Sequence, residues 1–346
     1  MKIVTSAFGN RYASFLLSFL YSIEKSMPNN EVLVFWNDID DEIILPIINY
    51  YSNTKFINIH EKISIDDHSI SAYASSRKSG KMSFLKHVFE YLDYDSEIII
   101  IDNDTLILKD LKIVFETSFD VAFTPLNKNV SAYPMNSGVL FLRKNDRTKK
   151  LIEFMDQHVI DLSKDNKKHE IAIKKYGGAD QAAFCRIVDY ESDGMIEKDK
   201  VLHDLKFNYL NADMYNNFKH VNDLSDIFVI HLKGTWQTLI FQGRPLSNIS
   251  GGYLREMIYF KFLNYFIRSL KIVFSEKNAM NLPLERLLEV KIPIYIMLSN
   301  NHFKENKLLM YLYIPLERIY RFCVNRNLKL FQLLLHILIF RKYSKL

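Results

Sequence analysis

Five residues, Glu97-Ile98-Ile99-Ile100-Ile101, constrain the fold of this chain more than any others. The run is too short for a stable helix, and four successive isoleucines favour extended backbone. It has no alternation of polar and apolar positions, so neither face can be given to water. The pattern predicts a strand covered on both sides, at the centre of a mostly parallel sheet. Such a sheet needs helical crossovers, and the preceding residues supply matching segments. Strands are predicted at Lys2–Ser6, Glu31–Trp36 and Lys55–Ile59. Helical apolar spacing runs through Tyr12–Ser26, Asp41–Tyr51 and Gly80–Leu92, the last with Met82, Leu85, Val88, Phe89 and Leu92 on one face. The fold class expected is α/β.

The 346 residues are 48% hydrophobic and 25% charged, the balance of a folded globular chain. The net charge of +5 is unevenly placed. Residues 1–245 hold 29 basic and 34 acidic side chains, whereas residues 246–346 hold 16 basic and 6 acidic. That shift marks a domain boundary near residue 245. Two cysteines, Cys185 and Cys323, form no CxxC pair and fit a reducing compartment. Asn10 and Arg11 interrupt the first apolar stretch too early for a signal-peptide core, and no apolar run reaches the ~18 residues of a membrane span. The expectation is a cytoplasmic protein, peripheral on the inner face of the cell membrane.

In open α/β sheets the working residues lie beyond the carboxyl ends of the strands. Directly after the isoleucine strand come Asp102-Asn103-Asp104. A surface turn also accounts for such a triplet. Two carboxylates this close to a buried strand nevertheless need a counter-charge, which Mg²⁺ or Mn²⁺ can supply. Met135-Asn136-Ser137-Gly138 precedes the apolar run VLFLR and reads as a turn or as polar contacts with close backbone approach. Gly177-Gly178-Ala179-Asp180-Gln181 opens a helix, where Asp180 either caps it or, with Gln181, bonds a hydroxyl-rich ligand. His231-Leu232-Lys233-Gly234 follows the strand Ile227–Ile230, and its imidazole is either structural or a third metal ligand.

In this order the segments resemble the nucleotide-sugar glycosyltransferases of the GT-A fold, a Rossmann-like sheet flanked by helices. The likeness is greatest to glycosyltransferase family 8, which includes glycogenin and bacterial lipopolysaccharide galactosyl- and glucosyltransferases. It is carried by Lys81 in GKMSFL, by IDNDTLIL, MNSGVLFL, GGADQAAF and HLKG, and spans roughly residues 1–245. It implies that Asp102, Asp104 and His231 bind Mn²⁺ or Mg²⁺ bridging the donor diphosphate. It implies that Ala7, Phe8 and Tyr12 line a nucleobase pocket, that Asn103 meets the ribose, and that Lys81 meets the diphosphate or sugar. Asn136, Ser137, Asp180 and Gln181 would surround the transferred sugar. The family's lysine after His-x-x-Gly is missing from HLKGTWQTL, and Lys233, beside Gly234, or Arg244 would take its part, with Trp236 close by. The implied function is transfer of a hexose or related sugar, from a nucleotide sugar such as a UDP-sugar, to a glycan or lipid-linked saccharide acceptor in bacterial surface polysaccharide or glycolipid synthesis. Retention of configuration follows from family membership. An inverting relative would instead use Asp180 as base, and a non-catalytic membrane-binding scaffold is the alternative from another class.

Residues 246–346 are predicted to form a helical appendage. Tyr253–Phe274 is amphipathic and aromatic, and residues 301–346 carry nine basic, two acidic and eight Phe or Tyr side chains. Such a segment either packs on the sheet or binds an anionic membrane surface. A nucleic-acid partner is not expected, because the first part is net acidic and carries no nucleic-acid motif. Homo-oligomerisation stays open.

Overall fold

The computed structural model describes residues 1–59, 85, 88–89, 92–125, 135–188, 201–217, 224–232 and most of 261–274. Lys81, Lys233, Gly234, Trp236, Arg244 and the segment 301–346 lie outside the described residues.

Strand β1 (Lys2–Phe8) is followed by helix α1 (Asn10–Ser26), β2 (Glu31–Asn37), α2 (Asp41–Tyr50) and β3 (Thr54–Asn58). Then come β4 (Glu97–Ile101), β5 (Thr105–Ile107), a 3₁₀ turn at Lys112–Glu116, β6 (Val121–Pro125) and β7 (Met135–Arg143). Three helices follow: α3 (Asp146–Ser163), α4 (Asn166–Tyr176) and α5 (Ala179–Ile187). The last elements are β8 (Val201–Leu202), β9 (Leu205–Tyr209), α6 (Ala212–Tyr215) and β10 (Val229–His231). Eight strands form the main sheet in the order β3-β2-β1-β4-β7-β6-β9-β8.

The first half is parallel throughout: β1 pairs with β2 and with β4, and β2 with β3. Strand β6 pairs in parallel with β9, but β7 runs antiparallel between β4 and β6. Only residues 126–134 separate β6 from β7, and antiparallel neighbours need no long crossover. The expectation of a mostly parallel α/β sheet therefore holds, with this one reversal at its centre and an antiparallel β8 at its edge.

The isoleucine strand does what its composition demands. Ile99 and Ile101 enter one hydrophobic cluster, built with α1 and α2, and Ile98 and Ile100 enter the other, built with α3 and α5. All four are buried. The Met135–Gly138 segment is not a turn before a strand. It is the first part of β7, where Asn136 pairs with Thr124 across a register shift between Phe123 and Thr124. The irregularity gives these polar residues strand geometry without continuing the apolar ladder. The Lys-rich stretch Ser163–Lys175 forms helix α4 for most of its length.

Described residues of the basic region join the core. Phe262, Phe266, Leu270 and Phe274, four residues apart on helical backbone, are buried in the α1-side cluster. Phe262 lies 5.5 Å from the Phe15 ring, Tyr265 lies 5.3 Å from Tyr21, and the Ser269 hydroxyl is 3.1 Å from that of Tyr51. Among the described residues, no helix is long and apolar enough to cross a membrane.

A buried carboxylate ties the far half of the sheet to α3. Asp120 accepts hydrogen bonds from Arg147 at 2.6 Å, Asn145 at 2.7 Å and the Lys206 backbone at 2.8 Å. Burial alone would push its carboxyl up. The bonds from Arg147, Lys206 and Asn145 outweigh that and hold it below the usual carboxylate range. A depressed folded-state value contributes stability above the unfolded value of about 4, and loses it as pH falls through the folded one. Asp120→Asn is expected to lower stability at pH 7 by about 2 kcal/mol. Its stability should also fall less steeply than the wild type's below about pH 4. Urea melts across pH 2–7 check both slopes.

Candidate functional site

The carboxyl ends of β1 and β4 lie side by side, and the residues singled out from the sequence gather there. Ala7 and Phe8 end β1 opposite Trp36 and Asn37 of β2. Ala7 is buried and Phe8 half-buried. Tyr12, in the first turns of α1, accepts a hydrogen bond at its backbone carbonyl from Asn103 Nδ2 at 3.2 Å. Asn103 is itself buried, so it pins the Asp102–Asp104 turn against α1.

Two hydrogen bonds shape that turn. The Asp102 amide donates to Gly138 O at 2.9 Å, continuing the β4–β7 ladder by one residue. Thr105 Oγ1 donates to Asp102 O at 2.7 Å. The chain then enters β5, which leaves the main sheet and pairs antiparallel with β10. In that register His231 stands opposite Thr105, and Leu232 N donates to Asp104 O at 2.7 Å. The pairing carries the imidazole to the two carboxylates. His231 Nε2 is 3.2 Å from Asp104 Oδ1 and 3.8 Å from Asp102 Oδ2. Asp104 and His231 are buried, while the Asp102 side chain keeps a third of its surface open.

One ligand atom from each of Asp102, Asp104 and His231 lies within 4.8 Å of the others, and among the described residues this is the group able to hold a metal ion. Adjacent donors around an octahedral cation with bonds of about 2.1 Å stand about 3 Å apart. The 3.2 Å between His231 Nε2 and Asp104 Oδ1 is close to that spacing, and mixed carboxylate–imidazole donors suit a divalent cation.

Beside this triad lies a second polar cluster. Ser137 Oγ donates to Asp180 Oδ2 at 2.5 Å, and Ser137 N donates to Gln181 Oε1 at 3.3 Å. Gln181 Nε2 donates to the Tyr176 carbonyl, so its amide is engaged at both ends and staples α5 to β7. Asp180 does not cap α5. The N-cap is Gly178, which makes no side-chain cap bond. A Cβ there would come within 2.6 Å of Asp180 Oδ1, so glycine makes room for the carboxylate. Asn136 Oδ1 accepts from the Gly138 amide at 2.6 Å.

Gly138 joins the two clusters. A Cβ at this position would stand 2.3 Å from His231 Cε1 and 2.7 Å from Nδ1. The small residue of the Asn-Ser-Gly segment thus permits close approach of the imidazole rather than of a ligand. The sequence reading missed Asn216, which follows α6. Its Oδ1 lies 2.8 Å from His231 Nδ1, and its Nδ2 donates to Thr124 Oγ1 at 2.8 Å. The only signal ahead of β10 is the polar doublet Asn216-Asn217, and polar doublets are common in loops.

No protein-family model matches the chain, and no curated protein matches it. Solved structures do align with it. A glycosyltransferase, GlyE, of Streptococcus pneumoniae TIGR4 is 17% identical with a TM-score of 0.49, over 80% of this chain and 63% of its own. The chain thus spans less than two thirds of that protein's length. The galactosyltransferase LgtC, solved with donor and acceptor sugar analogs, is 17% identical with a TM-score of 0.40, over 68% of this chain and 87% of its own. Mouse xyloside xylosyltransferase 1 is 11% identical with a TM-score of 0.40, over 67% of this chain and 97% of its own. At these identities the functional reading rests on the geometry of this chain.

Gly138→Ala forces either His231 or β7 to move. The expected result is a loss of about 1–3 kcal/mol in denaturant melts, with His231 displaced from Asp104 in a crystal structure of the variant.

Proposed function

We propose that this chain is a metal-dependent glycosyltransferase of the GT-A type that uses a nucleotide-sugar donor. The single observation that carries the proposal is the convergence of Asp102, Asp104 and His231 at the carboxyl end of the sheet, with Ser137 and Asp180 alongside. Sequence-distant hydrogen bonds hold this group, so it is built rather than incidental.

In this reading Asp102, Asp104 and the Nε2 of His231 hold Mn²⁺ or Mg²⁺. The cation, when bound, neutralises the diphosphate of the donor and stabilises it as a leaving group. Ala7, Phe8 and Tyr12 shape the nucleobase end, which suits UDP. Asn103 orders the turn next to the ribose position. Lys81 and Lys233, with Gly234 beside it, are assigned to the donor phosphates. Asn136, Ser137 and Asp180 bind hydroxyls of the sugar, and Gln181 holds Ser137 in place for that contact. The Ser137 hydroxyl already donates to Asp180, so the carboxylate is oriented before the sugar arrives, which lowers the cost of ordering it. The donor sugar is a hexose or a close relative, and the acceptor a glycan or lipid-linked saccharide. Retention is the stereochemical outcome implied by the resemblance to glycosyltransferase family 8. NMR of the product anomer separates it from inversion with Asp180 as base.

The chain is organised, on this proposal, as a catalytic domain over 1–245 and a basic helical region over 246–346. The burial of Phe262, Phe266, Leu270 and Phe274 supports packing of this part of the region on the domain. Residues 301–346 are proposed to contact anionic lipid on the cytoplasmic face of a membrane, which would bring a lipid-linked acceptor to the site.

Two measurements test these points. With Mn²⁺ and a panel of nucleotide sugars, donor hydrolysis or transfer is expected for at least one UDP-sugar, and Asp104→Ala is expected to reduce it by about two orders of magnitude or more. Undiminished turnover in Asp104→Ala, or in the presence of chelator, rejects the metal-centred reading. Absence of UDP and Mn²⁺ binding by calorimetry favours a scaffold without catalysis. Separately, a chain ending at residue 300 should lose co-sedimentation with phosphatidylserine vesicles and keep a cooperative melt. Unchanged sedimentation removes the membrane assignment.

A further inference from the structure

We infer that Asn216 is a positioning residue that sets the ring tautomer and orientation of His231, and so decides which imidazole nitrogen faces Asp102 and Asp104. The inference rests on the metal-site reading above. Asn216 is fully buried, and so is Thr124. The polarity of the Asn216 amide is fixed by its surroundings. Its Nδ2 faces Thr124 Oγ1 at 2.8 Å and the Asn136 carbonyl at 3.5 Å, and a backbone carbonyl can only accept. The other end of the amide must therefore be oxygen, and it meets His231 Nδ1 at 2.8 Å. An amide oxygen is an acceptor only, so Nδ1 carries a proton, and in the neutral ring Nε2 is left with its lone pair. Nε2 is the atom that faces the two carboxylates, at 3.2 and 3.8 Å.

The choice matters because the carboxylates pull the other way. Asp102 and Asp104 on their own would favour a proton on Nε2, which would then donate to them and be useless as a ligand. Asn216 opposes that tautomer from the far side of the ring. The His231 backbone is fixed as well, its amide donating to Asn217 O at 2.7 Å, and Gly138, lacking a Cβ, leaves the space that Cε1 and Nδ1 occupy. Partners on the second nitrogen of a histidine ligand commonly change metal affinity by about 10–100-fold when removed.

The test compares the wild type with Asn216→Ala, Asn216→Asp and Asn216→Ser. Mn²⁺ affinity is read by electron paramagnetic resonance of the free ion, and the His231 tautomer by long-range ¹H–¹⁵N correlation without metal, at a pH where the ring is neutral. N216A is expected to bind Mn²⁺ about 10–100-fold more weakly and to shift the ring toward the Nε2–H form. N216D keeps an acceptor against Nδ1 and is expected to retain both the affinity and the Nδ1–H form. N216S serves if N216A does not fold: its hydroxyl can meet Thr124 but falls short of the ring, so it should behave as N216A. A folded N216A or N216S with wild-type tautomer and wild-type Mn²⁺ affinity overturns the inference. If the wild type binds no Mn²⁺ but the tautomers differ as stated, the metal reading falls and the role of Asn216 stands.

Discussion

The short antiparallel pairing of β5 with β10 is the interaction on which the site depends. Three residue pairs, ending at His231 opposite Thr105, join a histidine late in the chain to carboxylates at the end of the central strand. Neither half makes a site alone. Without β10, Asp102 and Asp104 are two like charges at the mouth of an apolar strand. Without β5, His231 has a backbone partner in Asn217 but nothing to ligate with. Leu232 N on Asp104 O extends the pairing at the site, and Leu108 N on Phe228 O extends it at the other end.

Around that pairing the protein has placed polar groups inside its core, which is costly unless each finds a partner. Thr124, Asn136, Ser137, Asn216 and His231 are all buried, and each is hydrogen-bonded within the same patch. The bulge between Phe123 and Thr124 marks where β6 turns from apolar pairing to this network. The aromatic cluster of Phe123, Phe184 and Phe207, with ring centroids 5.1–6.4 Å apart, adjoins it through β6 and α5. Packed apolar side chains next to a satisfied polar network are what hold a constellation in register.

Much of the fold was legible in the sequence because its signals are local. Glu97–Ile101 is a strand with the bounds its composition predicts, and α1, β2, α2 and β3 fall within a residue or two of their apolar patterns. The charge shift near residue 245 was equally visible. Phe262 and Phe266 belong to the main core, as one of the two arrangements expected for the basic region has it. The reversal of β7 was not legible, because a strand buried on both faces reads alike in either direction.

For the site, the sequence alone determined the kinds of atoms available. Asp102 and Asp104 had to emerge at the end of a buried strand, Gly177 and Gly178 had to mark a helix start, and His231 had to follow a sheet-type run. Tertiary structure decided which of them meet. Asn216 gained its place only when α6 and β10 set it behind the imidazole. Gly138 proved necessary for the ring rather than for a ligand, and Gln181 became a staple rather than an open amide. The physical reason is common to all three. Hydrogen bonds between residues far apart in the chain follow from the packing of layers, and no pattern of neighbouring residues encodes which layers will touch.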